Sequence, residues 1–283
     1  MRKFYAITLS ISLLLSSNCI ADTVKLKNSA NQIILANYLS GSSNTPPIIL
    51  LHGLLQTNEF STITSTANNL NELEFSTLSP TLSLGISSRK QSLSCEAIHT
   101  HSLDSDTAEL KQWIDWLYKK TGKPIILIGH SAGGPVILNY LNKYKDSKVK
   151  HTILISLSYY ASGPSAFETK QQETQALNAI KAGNNKLSNY SLNYCKTYPT
   201  YPKNFLSYYN WNTKKVSQVI SKFKKRISII IGTGDKRIDS NWRKELQKEH
   251  KNVTTISGAN HFFDQTHEFD LIDALEKILS EHL

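Results

Sequence analysis

Glycine and proline are sparse in this chain, 12 and 8 among 283 residues, and neither recurs at a fixed period. That excludes a fibrous array, and with no low-complexity tract, 40% hydrophobic and 19% charged residues, a disordered chain is excluded too. Beyond the N-terminus no apolar run is long enough to cross a bilayer. No segment has the pattern of a nucleic-acid module. Acidic residues are in the minority: 22 Asp and Glu face 32 Lys and Arg, a formal charge of +10. Much of the excess is scattered over helix faces, with one concentration in "TKKVSQVISKFKKR" (213–226). A solvated helix face is the expected reading of that run; an acidic surface or an anionic lipid is the alternative. Cysteine is scarce, with three residues.

What is present begins with a leader. "MRK" is followed by the short apolar run "FYAITLSISLLL", and "SSNCIAD" offers Cys19 and Ala21 at −3 and −1 of a cut before Asp22. This pattern predicts a secretory signal over 1–21 and an exported chain, periplasmic or secreted, over 22–283. Lipidation of Cys19 is the competing reading, though Asn18 stands where such sites usually carry Gly or Ala. Removing Arg2 and Lys3 takes the formal charge from +10 to +8 (10 − 2). The two remaining cysteines, Cys95 and Cys195, would then sit where disulfides persist; a bridge between them is one expectation and two separate buried thiols the other.

The rest reads as strands alternating with helices. "TVKLK", "QIILANYL", "PPIILLHG", "EFSTLSPTL", "PIILIG", "HTILISLS", "RISIIIGTGD" and "VTTIS" are strand candidates. "PPIILLHG", with consecutive branched or leucine side chains between Pro and Gly, suits a strand buried on both faces. "DTAELKQWIDWLYKKTG" is a helix, with Asp106 and Glu109 at capping-box spacing and Gly122 as its stop. "SAGGPVILNYLNKY", "SNWRKELQKEH" and "HEFDLIDALEKILSEHL" follow as helices, the last with Phe269, Ile272, Leu275 and Leu279 on one side. Strands joined by helical crossovers mean a mostly parallel sheet covered on both faces. From about 158 to 226 the alternation stops. That stretch holds the helical "ETKQQETQALNAIKAG" and an aromatic, loop-like run from Asn189 to Asn212, and it contains eight of the 13 tyrosines. It is an insertion in the sheet pattern, its tyrosines either a binding surface or its own core.

"IGHSAGG" places Ser131 between Gly129 and Gly133, after a strand and before a helix. This is the setting of a nucleophile elbow formed by Gly129, His130, Ser131 and Gly133. A serine hydroxyl needs a base, and the order Ser, acid, His predicts where to look. "IIIGTGD" ends a strand at Asp235 and "SGANHFF" puts His261 after the next one; Asp239 is the reserve acid. Oxyanion donors are expected from the N–H of Ala132 and from the turn "LLHGLLQ", where Leu54 is the candidate and Leu55 the alternative, with His52 fixing that loop. His99 and His101 lack a third ligand at a convincing spacing, so no metal site is expected and a loop over the active site is the reading.

Through "LLHGLL", "GHSAGG", "IIIGTGD" and "GANHFF", the chain from about residue 46 onward resembles serine hydrolases of the α/β-hydrolase fold. The resemblance implies a mostly parallel central sheet with helices on both faces, a triad of Ser131, Asp235 and His261, and a lid at about 158–226. It looks like an exported bacterial branch of that superfamily. The expected activity is cleavage of a carboxylic ester-like bond in a small-molecule or lipid-like acyl substrate, through an acyl-enzyme and without cofactor. Amide, peptide or thioester hydrolysis on the same triad, or a non-catalytic binding protein, are the alternatives, and the oligomeric state is left open.

Overall fold

A computed structural model of the chain describes residues 21–144, 147–161 and 166–283. The signal-peptide and Cys19 readings fall outside these residues, apart from Ala21. The strands are β1 (Asp22–Lys27), β2 (Ile33–Leu39), β3 (Ile48–Leu51), β4 (Thr77–Thr81), β5 (Ile125–His130), β6 (Val149–Ile155), β7 (Ser188–Leu192), β8 (Cys195–Thr200), β9 (Ile227–Gly232) and β10 (Val253–Ile256). The helices are α1 (Ser61–Glu72), α2 (Leu103–Thr121), α3 (Gly133–Lys143), α4 (Ala166–Lys181), α5 (Pro202–Tyr209), α6 (Thr213–Lys222), α7 (Ser240–Glu249) and α8 (His267–Ser280).

Eight strands form one sheet in the order β1-β2-β4-β3-β5-β6-β9-β10. β2 runs antiparallel to both β1 and β4, and every pairing from β4 across to β10 is parallel. The central strands β3, β5 and β9 are built on apolar runs and are buried at every position because both faces are covered. In β5, Ile125 and Leu127 join one core with α2, α3 and α6, while Ile126 and Ile128 join the other with α1 and α8. β9 alternates in the same way, Ile229 and Ile231 against Ile230. Each such side chain contributes roughly 1.5–3 kcal/mol of burial. The parallel set brings the C-terminal ends of β3, β5, β6, β9 and β10 to one rim, where α/β sheets gather their sites.

Three local expectations are corrected. Asp106 and Glu109 do not cap α2. The helix begins earlier, with Ser102 and Ser105 forming the reciprocal cap. The two acids are buried instead: Asp106 accepts the Tyr208 hydroxyl at 2.5 Å and faces His101 Nδ1 at 3.2 Å, and Glu109 accepts the N–H and hydroxyl of Ser83. Burial pushes the Glu109 pKa up to about 7. In α8 the inward row is Leu271, Leu275, Ile278 and Leu279, and Phe269 is 72% exposed because its own helical row continues through Asp273 and Glu276. The aromatic run is not a loop: it contains the antiparallel hairpin β7–β8, followed by α5.

The stretch between β6 and β9 therefore comprises α4, the hairpin, α5 and α6. Tyr160, Tyr190, Tyr198 and Tyr208 are buried and form its interior against the main core. His99 stacks on Tyr198 at 3.9 Å, and His101 accepts or donates to the Tyr198 hydroxyl at 3.1 Å. These histidines tie the segment after β4 to the hairpin, and neither lines the cavity at the sheet rim. A disulfide joins Cys95 to Cys195 across a Cα–Cα distance of 5.3 Å and a sequence separation of 100. In the chain-entropy account, closing a loop of that length stabilises by up to about 4–5 kcal/mol. Replacing both cysteines by serine is expected to lower unfolding stability by about 2–5 kcal/mol. Denaturant titration should give the same shift when the native chain is reduced; an unchanged midpoint would mean that the bridge constrains nothing.

Candidate active site

The turn after β5 explains the glycines around Ser131. Ser131 has φ of 52°, a left-handed conformation that side chains rarely adopt. Holding it there requires neighbouring backbone to pass very close. A Cβ on Gly133 would lie 2.7 Å from the carbonyl oxygens of Leu51 and His52, and one on Gly129 would lie 3.0 Å from the backbone of Gly133 and Gly134. Ser131 N–H donates to Ile155 O at 2.8 Å, fixing the turn to β6. The hydroxyl projects at the start of α3, with Ala132 as that helix's N-cap.

The three side chains drawn from different strand ends meet here. His261 Nε2 is 2.9 Å from Ser131 Oγ, and His261 Nδ1 is 2.8 Å from Asp235 Oδ2. Asp235 Oδ1 accepts the N–H groups of Arg237 at 2.8 Å and Ile238 at 3.2 Å. Burial works to raise the Asp235 pKa, but the His261 hydrogen bond and charge together with these two N–H groups outweigh it and hold the carboxyl below its ordinary value. Arg243 Nη1 donates to the carbonyls of Gly232, Thr233 and Asp235 at 2.9–3.2 Å, pinning the turn that carries the carboxylate. Asp239 is turned away: its side chain caps α7 through Asn241 N–H and Trp242 N–H.

His130 sits behind His261. Burial, and then the neighbouring His261, push its pKa down to about 3, so it is a neutral ring whose Nε2–H donates to His261 O at 2.9 Å. Ser156 Oγ donates to the same carbonyl at 3.0 Å. His52 is held near pKa 3 by burial and then by Arg89. Its Nδ1–H donates to Gly53 O and its Nε2 accepts Leu82 N–H, which ties the turn after β3 to the end of β4.

Among the described residues neither Leu54 N–H nor Ala132 N–H has a protein acceptor. Leu54 lines the same cavity as Ser131; Leu55 does not, and its carbonyl accepts Leu93 N–H. The carbonyls of both Leu54 and Ala132 are held from the insertion. Tyr194 OH donates to Leu54 O at 3.0 Å and Tyr160 OH donates to Ala132 O at 3.1 Å.

The cavity holds about 1110 Å³ and is lined by Leu54, Gln56, Phe60, Ser131, Ser158, Asn193, Tyr194, Arg237, His261 and Phe262, among others. Several of these carry no sequence signature. Ser158 Oγ lies 3.4 Å from Ser131 Oγ, in the segment after β6 that Trp242 Nε1 fixes through Leu157 O. Only its position beyond a core strand could have pointed to Ser158. Among the described residues no group of three His, Cys, Asp or Glu side chains could hold a metal ion, and no helix is long and apolar enough to cross a membrane.

A family model described as alpha/beta hydrolase fold matches residues 46–178. No curated protein matches the chain. Among solved structures, Est1E from Butyrivibrio proteoclasticus is similar at 18% identity, over 92% of this chain and 98% of that one, with a TM-score of 0.66. The alpha/beta hydrolase GrgF from Penicillium sp. sh18 is 12% identical over 93% and 99% of the two chains, with a TM-score of 0.69. A thioesterase domain from the curacin biosynthetic pathway is 15% identical over 93% and 99%, with a TM-score of 0.59. At these identities the likeness is one of fold: the chain has the α/β-hydrolase fold, with a mostly parallel central sheet and helices on both sides.

Proposed function

We propose that the protein is a serine hydrolase that cleaves a carboxylic ester-like bond through a covalent acyl-enzyme. One observation carries the reading: a buried carboxylate, an imidazole and a hydroxyl in series at 2.8 and 2.9 Å, the hydroxyl on a left-handed turn at a helix start. His261 Nδ1–H donates to Asp235, which leaves Nε2 free to take the Ser131 proton as Oγ bonds to the substrate carbonyl carbon. The carbonyl electrons move to its oxygen, which Leu54 N–H and Ala132 N–H hold. As the tetrahedral species collapses, imidazolium returns the proton to the departing alcohol. Water then attacks the acyl group, giving its proton to His261, and the imidazolium returns that proton to Ser131 Oγ as the acyl bond breaks and the acid product leaves. Each step is supplied by the chain's own groups.

The segment 158–226 acts in this reading as a lid, since Ser158, Asn193 and Tyr194 line the cavity. Export to a periplasmic or extracellular compartment is supported by the leader-like N-terminus and by the Cys95–Cys195 bridge, which persists where thiols are oxidised. The purified chain is expected to turn over 4-nitrophenyl esters of graded acyl length faster than the matching thioesters or peptides. A folded protein inert on every ester, yet active on peptides, would overturn the ester assignment.

A further inference from the structure

Arg237 lines the cavity and remains exposed, yet its guanidinium is not left to solvent alone. Its Cζ lies 5.0 Å from the ring centroid of Phe262, the residue after His261, and 5.8 Å from that of Tyr194 on the hairpin. Its backbone is fixed, because its N–H donates to Asp235 Oδ1 at 2.8 Å. Among the described residues no carboxylate forms an ion pair with it. The two acids on the cavity wall are engaged elsewhere, Asp235 by His261 and Asp239 by the start of α7. Arg243, on the same wall, is committed to three backbone carbonyls. Among the described residues, neither Arg237 nor its exposed neighbour Lys236, which also lines the cavity, is held in an ion pair.

A guanidinium packed on aromatic rings loses side-chain freedom but keeps its in-plane N–H donors, the fork that matches a carboxylate or phosphate. We propose, resting on the serine-hydrolase reading, that the preferred substrate is an ester that also carries an anionic group, and that Arg237 binds that group. Arg237 is then a specificity determinant beside the triad, taking no part in bond cleavage.

Matched chromogenic esters test this. One pair differs by a carboxylate on the acyl side, mono-4-nitrophenyl glutarate against its methyl ester. The other differs on the leaving group, 3-carboxy-4-nitrophenyl acetate against 4-nitrophenyl acetate. In at least one pair, Arg237→Ala is expected to lower the anionic-to-neutral ratio of kcat/KM by about tenfold or more. Arg237→Lys should keep part of the preference, and added salt should shrink it. An unchanged ratio in both pairs would overturn the proposal. Calorimetry on the Ser131→Ala chain gives an answer independent of turnover. Monomethyl glutarate should bind and dimethyl glutarate should not, with binding lost when Arg237→Ala is added; equal binding of the two also overturns the proposal. If all four nitrophenyl esters are inert, the ester reading falls, while the calorimetry still decides whether Arg237 holds an anion.

Discussion

Alanine at position 131 is expected to lower kcat by about a million-fold and to abolish labelling by a fluorophosphonate. Ser131 Oγ is the cavity hydroxyl hydrogen-bonded to His261 Nε2, at 2.9 Å, so its loss removes the nucleophile and leaves the imidazole beside it with no hydroxyl to activate. Ser158 Oγ is the nearest substitute, but it contacts Ser131 at 3.4 Å and makes no hydrogen bond to the imidazole. The residual rate would come from substrate binding and the oxyanion donors alone. The backbone cost is small, because serine already occupies the left-handed conformation at φ 52° and alanine meets the same steric limits there. Circular dichroism should therefore be unchanged. Equal labelling of the Ser131→Ala and native chains would remove Ser131 from the mechanism.

Asp235→Asn is expected to lower kcat by about ten-thousand-fold without unfolding the chain. An amide at 235 can donate to His261 Nδ1, which moves the imidazole proton to Nε2, where it opposes the serine proton instead of accepting it. Asp239→Asn is the control. Its side chain caps α7, a duty asparagine performs about as well, so activity should stay within about tenfold. If the two variants exchange these outcomes, Asp239 is the acid. A pH signature accompanies the first variant. The Asp235 carboxyl is held below its ordinary pKa, so the stability it contributes is present above the unfolded-state value and is lost as pH falls through the folded-state value. The Asp235→Asn chain should lack that segment of the acid-unfolding profile.

The sheet was readable because its central strands are built on unbroken apolar runs: the IILL of β3, the IILIG of β5 and the IIIG of β9 suit interior strands buried on both faces of a covered sheet. Helix α1 went unread. Its sequence, STITSTANNLNE, is built from poor helix formers, and it is held by Ile63, Ala67 and Leu70 packing into the core beneath β3 and β5. Asp106 and Glu109 resembled a cap because spacing alone cannot distinguish an acid at a helix end from one buried against Tyr208 or Ser83. At the site, Ser131, Asp235 and His261 could be nominated from strand ends and chain order. Ser158 and Tyr194 could not, since their places depend on how the insertion folds back over the rim, and neither could Arg237, which the turn after Asp235 aims at the cavity.

The two tyrosine hydroxyls that reach from the insertion to Leu54 O and Ala132 O have a bearing on protein engineering. Exchanging the segment between β6 and β9 for that of another hydrolase is an obvious route to altered selectivity, because Ser158, Asn193 and Tyr194 of that segment line the cavity. Here the replacement would also remove the hydrogen bonds accepted by Leu54 O and Ala132 O, on the two residues proposed to hold the oxyanion. A graft would have to supply hydroxyls at the places of Tyr160 and Tyr194 and a cysteine opposite Cys95, or lose rate on every substrate alike. Selectivity is more safely altered from the main-domain wall of the cavity, at Phe60, which takes part in neither of those bonds.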